Sequence, residues 1–184
     1  MTFENLNLAP AILKAVLEQG YDTPTPIQAQ AIPAVLAGGD LLGGAQTGTG
    51  KTAAFALPLL SRVNTSAKGA ERTSALILVP TRELAMQVAE AVHRYGKPMG
   101  VSALAVYGGS SMEMQVRALK RGVDVVIATP GRALDHIRRN TLQMTSLKTV
   151  VLDEADEMLD MGFREELEEI LDATPDERRT LLFP

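Results

Sequence analysis

Six short apolar runs alternate with stretches of helical spacing, and this alternation constrains the fold more than any other feature of the chain. The runs are rich in Val, Ile and Leu and show little apolar–polar alternation, as expected of strands buried on both faces of a parallel sheet. They are Asp40–Gly43, Ala75–Val79, Ser102–Val106, Val123–Ala128, Thr149–Leu152 and Thr180–Phe183. The helical stretches are Lys51–Arg62, Glu83–Tyr95, Met112–Arg121, Gly131–Arg139 and Glu165–Leu171. This order predicts a doubly wound α/β domain, a mostly parallel sheet with helices on both faces, whose ligands bind beyond the carboxyl ends of the strands.

The composition excludes several classes of protein. The 184 residues include no cysteine and only two histidines, so neither a disulfide framework nor a zinc cluster is expected. A net charge of −4 argues against a general polycation that coats nucleic acid or membrane. The N-terminus lacks the basic and apolar regions of a signal peptide, and no apolar run approaches the ~20 residues that span a bilayer. We therefore expect a cytoplasmic globular domain without a membrane partner.

A glycine-rich string between the first strand and the first helical stretch predicts a phosphate-binding loop. Its residues are Ala45, Gln46, Thr47, Gly48, Thr49, Gly50, Lys51 and Thr52. The glycines allow backbone N–H groups to turn inward towards phosphate oxygens, and the helix N-terminus adds further donors. Lys51 can reach the β- and γ-phosphates, and the Thr52 hydroxyl can bind Mg²⁺. The alternative is a glycine-rich strand-to-helix turn without a ligand.

Two carboxylates follow the apolar strand that ends at Leu152. Beside a phosphate loop, Asp153 is placed to hold Mg²⁺, usually through water. Glu154 is placed to orient or deprotonate the attacking water. The alternative is an acidic first turn of a helix, which the helix dipole favours. Combined with the phosphate loop, the pair predicts a site that binds and hydrolyses a nucleoside triphosphate.

Residues 153–156 read Asp-Glu-Ala-Asp, and the chain resembles the first RecA-like domain of the DEAD-box ATP-dependent RNA helicases. The resemblance runs from Phe3 to Phe183, with the motifs in family order and at family spacing. It implies a RecA-like P-loop NTPase fold over residues 29–184, preceded by a lead segment, residues 1–28. It also implies that the complete protein couples Mg²⁺–ATP hydrolysis to local RNA unwinding. Lys51, Asp153 and Glu154 would be catalytic, and Asp156 would couple this domain to a second one.

The lead segment contains the counterpart of the family's Q motif, residues 20–28, with Phe3 as its upstream aromatic residue. The Gln28 amide pairs a donor with an acceptor, which matches N6 and N7 of adenine. Tyr21 offers a flat face for the adenine ring. The implied nucleotide is ATP rather than GTP. The alternative is that Pro26 opens a helix, Gln28 lies in its first turn and Tyr21 belongs to the core.

Three further turns resemble the family's RNA-binding motifs. They comprise Pro80, Thr81 and Arg82 after the second strand, Gly108 and Gly109 after the third, and Thr129, Pro130, Gly131 and Arg132 after the fourth. Thr81 and Thr129 are predicted N-caps, so two helix N-termini would present N–H groups to the RNA backbone. Arg82 and Arg132 would add charge-assisted contacts to phosphate. The alternative for the last turn is a simple helix start.

The chain departs from the family pattern at two places. After Phe183 the family continues into a linker and a second RecA-like domain, which supplies arginines to the γ-phosphate. Gly44 stands where a side chain is expected and adds flexibility before the loop. Two function classes follow for the chain as given: an RNA-stimulated ATPase, or a nucleotide-binding module with negligible turnover, which we favour. A DNA-directed superfamily 2 helicase or translocase is the alternative from another family, and the Q motif disfavours it.

Overall fold

Six strands pair into one parallel sheet in the computed structural model, which describes residues 1–44, 50–63 and 69–184. The strands are β1 Leu41–Leu42, β2 Ala75–Leu78, β3 Ala103–Val106, β4 Val125–Ala128, β5 Thr149–Asp153 and β6 Arg179–Phe183. Their order across the sheet is β1-β6-β5-β2-β4-β3, and every pairing is parallel. The predicted fold class is confirmed. β1 is shorter than predicted, and the Asp40 side chain accepts a hydrogen bond from the Thr180 backbone N–H at 2.8 Å just before it.

Eight α-helices are present in the described residues, and each predicted helical stretch corresponds to one of them. They are α1 Pro10–Glu18, α2 Pro26–Ala37, α3 Lys51–Ser61, α4 Arg82–Gly96, α5 Met112–Arg121, α6 Pro130–Arg138, α7 Ala155–Asp160 and α8 Arg164–Ala173. Helices α1, α2 and α6 begin with proline, which has no N–H to leave unpaired at the first helical position. We did not predict α1 or α7; α1 follows Ala9, which has no capping side chain.

The strands are mostly apolar because both faces of the sheet are covered. Successive strand residues point to opposite faces, so Ile77 lies in one core while its neighbours Leu76 and Leu78 lie in the other. The first core packs against α1 to α4, and the second against α5 to α8. The predicted doubly wound arrangement, with helices on both faces, is therefore observed.

The lead segment packs into the first core. Phe3, Leu6, Ile12 and Val16 are each at most 2% exposed there. Residue 28, the last residue of the predicted lead segment, lies inside α2. The segment therefore shares its hydrophobic core with the rest of the domain, and this places Tyr21 and Gln28 beside α3 and α4.

An ion pair with a buried carboxylate joins the segments before β2, β3 and β4, at the amino ends of the strands. Asp124 is fully buried and accepts hydrogen bonds from Nε and Nη2 of Arg72 at 2.7 and 2.8 Å. The Ser102 backbone N–H donates to the same carboxylate at 2.8 Å. These hydrogen bonds to Asp124 raise the pKa of Arg72. The pair therefore ties the segment before β2 to the segments before β3 and β4.

We expect Arg72→Met to lower the free energy of unfolding by about 3–5 kcal/mol, because it leaves the Asp124 carboxylate buried without its counterion. The matched control is Arg117→Met, whose partner Glu113 lies 2.9 Å away with both side chains at least 70% exposed. That control should change the free energy by less than about 1 kcal/mol. Urea unfolding at pH 7 measures both. If both variants lost the same small free energy of unfolding, the stabilising role of the Arg72–Asp124 ion pair would be contradicted.

Candidate functional site

All six carboxyl ends lie at one edge of the sheet because every strand is parallel. The strand order divides that edge into two halves. One half holds the ends of β1, β6 and β5, from which the phosphate loop and the carboxylates at 153 and 154 emerge. The other half holds the ends of β2, β4 and β3, from which the three predicted RNA-binding turns emerge. The predicted nucleotide and RNA residues therefore form adjacent groups on one edge.

The start of α3 carries the described part of the predicted phosphate loop. Gly50 precedes this helix with φ of +82°, and a Cβ there would collide with the side-chain amide of Gln28. The backbone conformation therefore favours glycine, and any other residue would also displace the Gln28 amide. Lys51 and Thr52 form the first turn of α3. The other predicted loop residues, Ala45, Gln46, Thr47, Gly48 and Thr49, lie outside the described residues.

Lys51 and Asp153 meet at the nucleotide half of the edge. The Lys51 Nζ atom lies 2.8 Å from Oδ1 of Asp153 and 3.9 Å from Oε1 of Glu154. The side chains of Lys51 and Asp153 are 9% and 1% exposed. The structure thus brings together the three residues that the sequence predicted to be catalytic.

The Asp153 carboxylate combines deep burial with few partners. Burial raises its pKa, and the nearby Lys51 ammonium opposes that rise. Apart from the ion pair with Lys51, neither oxygen has a side-chain hydrogen bond of good geometry within the described residues. A buried carboxylate with this spare acceptor capacity suits a cation or its bound water.

Glu154 occupies a constrained position at the turn from β5 into α7. Its φ of +54° lies in the left-handed region, which is uncommon for a residue with a side chain. A hydrogen bond with the Glu154 side chain raises the pKa of the exposed Glu157, one turn further along α7. The turn thus directs a second carboxylate towards Lys51, next to Asp153.

A cavity of about 360 Å³ opens between the lead segment and the starts of α2 and α3. Tyr21, Gln28, Gly50 and Thr52 are among its lining residues. Tyr21 is 50% exposed, so the alternative that placed it in the core is wrong. The volume lies in the range of small-molecule sites. The cavity gathers both predicted adenine-contacting residues next to the phosphate loop.

Gln28 already uses its amide within the protein. Its Oε1 accepts from the Thr25 backbone N–H at 3.0 Å, and its Nε2 donates to the Gly50 carbonyl at 3.1 Å. Together with the Thr25 side chain, these contacts form a capping box at the start of α2. Pro26 opens this helix and Gln28 lies in its first turn, as the alternative in the sequence analysis stated. The amide still has one N–H and further acceptor capacity. Thr25 is a residue that our sequence reasoning missed, although its Thr-x-x-Gln spacing signals such a box.

At the other half of the edge, the turn after β2 has the predicted form. Thr81 caps α4, because its hydroxyl accepts from the Leu84 backbone N–H at 3.2 Å. Arg82 is more than half exposed and lies 3.5 Å from Glu83. A Cβ on Gly109, which has φ of +85°, would lie 3.9 Å from Nη1 of Arg82. The glycine turn and the start of α4 are therefore neighbours, with Pro80 buried behind them.

The turn after β4 differs from the prediction in its side-chain contacts. Thr129 occupies the N-cap position of α6, but its side chain makes no capping hydrogen bond, so the predicted cap is wrong in that respect. Pro130 is buried, whereas Gly131 is exposed. Arg132 is half-buried, and its Nη1 donates to the Ser110 carbonyl at 3.1 Å, so at least one of its donors already serves the protein. The sequence gave no sign of this contact.

Asp156 and the chain end lie together. The Asp156 side chain is exposed in the first turn of α7, and its backbone N–H donates to the Pro184 carbonyl at 3.3 Å.

Within the described ranges, no group of three or more His, Asp or Glu side chains is arranged to hold a metal ion without further ligands. No helix there has the length and hydropathy of a bilayer-spanning segment.

The fold is that of a doubly wound, all-parallel α/β domain, and comparison with known families identifies the family to which it belongs. The family model described as DEAD/DEAH box helicase matches residues 25–184. The chain belongs to this family, and the resemblance inferred from its motifs is confirmed. It is 51% identical over 183 residues to the ATP-dependent RNA helicase DeaD of Mycobacterium tuberculosis, covering 99% of this chain and 32% of that protein.

Other relatives give the same assignment. The DEAD-box ATP-dependent RNA helicase CshA of Bacillus cereus is 50% identical, over 99% of this chain and 34% of its own length. The chain thus spans about a third of the length of these curated relatives. A crystal structure of a DEAD box protein from Methanococcus jannaschii superposes with a TM-score of 0.93 at 42% identity, over all of this chain and 49% of that one. A Dbp5 variant of S. cerevisiae, bound to RNA and ADP BeF3, gives 0.89 at 34% identity, over all of this chain and 46% of that one.

Proposed function

We propose that this chain is the ATP- and RNA-binding domain of an ATP-dependent RNA helicase and forms half of its catalytic site. The observation that carries the proposal is the 2.8 Å contact between Lys51 and Asp153 at the start of α3. A phosphate-loop lysine and a strand-end carboxylate at this spacing are the two charges that a Mg²⁺–triphosphate complex needs on either side of it. The relatives named ATP-dependent RNA helicases support the choice of reaction.

In this proposal the nucleotide lies along the edge from Tyr21 to Glu154. Adenine stacks on the exposed face of Tyr21 and bonds to the remaining amide capacity of Gln28. The phosphates lie on the N-terminus of α3, where the unpaired N–H groups and Lys51 neutralise their charge. Since Gln28 also donates to the Gly50 carbonyl, adenine binding and the phosphate loop share one side chain.

The residues fit a magnesium ion between the phosphates and the strand end. Apart from the Lys51 ion pair, the buried oxygens of Asp153 lack side-chain hydrogen bonds within the described residues, and Thr52 offers a hydroxyl in the first turn of α3. Bound Mg²⁺ would stabilise the negative charge that develops on the transferred phosphoryl group. Lys51 would leave Asp153 for the γ-phosphate, and Glu154 would orient the attacking water.

The RNA backbone is proposed to cross the other half of the edge, along the starts of α4 and α6 and the glycine turn. Thr81, Arg82 and Gly109 lie together there and present a capped helix start, a cation and an open backbone. Contacts of this kind bind phosphate without reading bases. A second RecA-like domain of the complete protein would close over both ligands, with Asp156 as a coupling residue and catalysis gated by that closure.

Tyr21→Ala is expected to weaken Mg²⁺–ADP binding about tenfold, since stacking of a base on an aromatic ring contributes on the order of 1–3 kcal/mol. Tyr21→Phe keeps the ring face and should bind like the wild type. Calorimetric titration with ADP and GDP measures both affinity and base preference. Unchanged ADP affinity in Tyr21→Ala, together with equal ADP and GDP affinity in the wild type, would refute the adenine site.

A further inference from the structure

A buried polar network connects two of the three turns proposed to bind RNA. Its central residues are Gln115 of α5 and His136 of α6, which are 4% and 0% exposed. The His136 Nε2 atom lies 2.8 Å from Oε1 of Gln115, and its Nδ1 atom lies 2.7 Å from Oγ1 of Thr141. Both imidazole nitrogens therefore have polar partners, and the ring is buried. Neither side chain belongs to the motifs identified in the sequence.

The network reaches the backbone on both sides of the glycine turn. The Gln115 Nε2 atom donates to the Tyr107 carbonyl at 3.2 Å, just before Gly108. Arg132 Nη1 donates to the Ser110 carbonyl at 3.1 Å, just after Gly109, and to Gln115 Oε1 at 3.1 Å. The carbonyls that flank the two glycines are thus bonded to side chains of α5 and α6. Through Arg132 they are tied to the first turn of α6, which follows β4.

The donors and acceptors define the state of the histidine. Because the Gln115 nitrogen donates to a carbonyl, its Oε1 must be the atom that accepts from both Arg132 and His136. His136 therefore carries a proton on Nε2. Its Nδ1 lies 2.7 Å from the Thr141 hydroxyl, which donates to the His136 carbonyl at 3.1 Å. Burial lowers the pKa of His136, and the nearby Arg132 lowers it further, which agrees with a neutral ring.

Packing alone does not account for this arrangement. A buried histidine needs only satisfied nitrogens, which Thr141 and one other acceptor could supply. Here the Gln115 amide nitrogen donates to the Tyr107 carbonyl, which comes just before the glycine pair. Gly109 of this pair has φ of +85°. Glycine backbones are the freest in the chain, so a turn with two of them needs outside contacts to keep one conformation.

We propose that Gln115 and His136 are positioning residues for RNA: they hold the glycine turn at a fixed spacing from the first turn of α6. The inference rests on the RNA-binding function proposed above. An RNA backbone can contact both turns only if the distance between the turns matches the distance between its phosphates. Fixing the turns beforehand lowers the entropy that the protein loses on binding RNA. The nucleotide half of the edge does not share this network, and its affinity should be independent of it.

The test compares variants of this chain by fluorescence anisotropy with a labelled single-stranded RNA and by calorimetry with Mg²⁺–ADP. Gln115→Leu and His136→Phe should each weaken RNA binding roughly tenfold, about the effect of losing one hydrogen bond, and leave ADP affinity unchanged. They should also reduce the salt dependence of RNA binding, because fewer phosphates are contacted. His136→Gln keeps a donor that can reach Gln115 and a polar group that can face Thr141, so it should restore most of the affinity.

The control for general destabilisation is Leu119→Ala, one turn further along α5 with its side chain 2% exposed in the second core. It should lower the melting temperature without a selective loss of RNA affinity. Equal RNA losses in Leu119→Ala and Gln115→Leu, or no recovery in His136→Gln, would overturn the proposal. Should Gln115→Leu not fold, Gln115→Glu keeps the acceptor, loses the donor to Tyr107 and serves the same comparison.

Backbone NMR separates this inference from the function on which it rests. If the wild-type chain binds no RNA, the proposed function fails at this half of the edge. Positioning is then judged by the amide chemical shifts and order parameters of Gly108, Gly109 and Ser110. Gln115→Leu should shift these resonances and lower their order parameters, and Leu119→Ala should not. Unchanged values in Gln115→Leu would overturn the positioning role whatever the RNA result.

Discussion

Lys51→Ala is expected to lose Mg²⁺–ADP binding by about a hundredfold, because charge-assisted hydrogen bonds to phosphate contribute roughly 1.5–3 kcal/mol and the loop has no second lysine. Calorimetric titration measures the loss. Lys14→Ala is a suitable control, since Lys14 is an exposed residue of α1 with its side chain 76% accessible. Wild-type affinity in Lys51→Ala would show that the start of α3 is not the phosphate site.

The same substitution should also destabilise the fold, and the size of the loss should depend on pH. Without Lys51, the Asp153 carboxylate is buried without its counterion, which costs about 3–5 kcal/mol when it is ionised. Burial already raises the pKa of Asp153 above its ordinary value of 3.8, and removing the ammonium raises it further. The folded state then binds a proton that the unfolded state has released, so stability falls as pH rises through this window and levels off above the folded pKa.

Urea unfolding at pH 4 and pH 8 separates this destabilisation from the binding defect. Lys51→Ala should lose more stability at the higher pH. The double variant Lys51→Ala with Asp153→Asn removes the buried charge, so it should regain most of the stability and still bind no nucleotide. If nucleotide binding recovered in that double variant, the weak binding of Lys51→Ala would be a consequence of its instability and not of the lost phosphate contact.

The second large effect concerns turnover. We expect the isolated domain, residues 1–184, to hydrolyse ATP below about 1 s⁻¹, the lower end of typical enzymes, with or without RNA. The resemblance assigns the arginines that contact the γ-phosphate to a second RecA-like domain, and such arginines raise turnover by about 10³–10⁵ in related sites. In a fusion, the part of the Mycobacterium tuberculosis relative that follows its matched region would be joined to Pro184. The turnover number of this fusion should exceed that of the isolated domain by about that factor, and single-stranded RNA should stimulate it.

A coupled phosphate-release assay measures these rates, and Glu154→Gln in the fusion provides the control for contaminating ATPases. RNA-stimulated turnover of the unfused chain above about 1 s⁻¹ would refute the binding-module assignment. Stimulation of the fusion by single-stranded DNA as strongly as by RNA, at matched salt, would favour the DNA-directed alternative.

The sheet and the meeting of Lys51 with Asp153 could be predicted from the sequence, because both follow from rules with few exceptions. Apolar strand-length runs separated by helices form parallel sheets, and parallel strands bring their carboxyl ends to one edge. A motif after the first run and one after the fifth must therefore face the same edge. The pairing order β1-β6-β5, which sets them close together, came only from the structure.

Other features depended on side-chain contacts that the local sequence does not determine. Helix α7 has six residues, too few for a periodic pattern, and it follows Glu154 in a left-handed conformation. Gln28 and Gly50, which are in contact, lie 22 positions apart in the sequence. Arg132 and Ser110 are also in contact and are also separated by 22 positions. A glutamine or arginine can reach many partners, so only the packed structure selects one. The half of the edge at the ends of β2, β4 and β3 was therefore predicted as a set of turns but not as a connected network.

A crystal structure with Mn²⁺ and ADP would test the central claim most directly, since Mn²⁺ replaces Mg²⁺ and its anomalous signal locates the ion. The account predicts the diphosphate on the N–H groups at the start of α3, the metal beside Asp153, and the Lys51 ammonium moved from the 2.8 Å carboxylate contact to phosphate oxygen. An unbroken Lys51–Asp153 ion pair, with the nucleotide bound elsewhere on the domain, would contradict it.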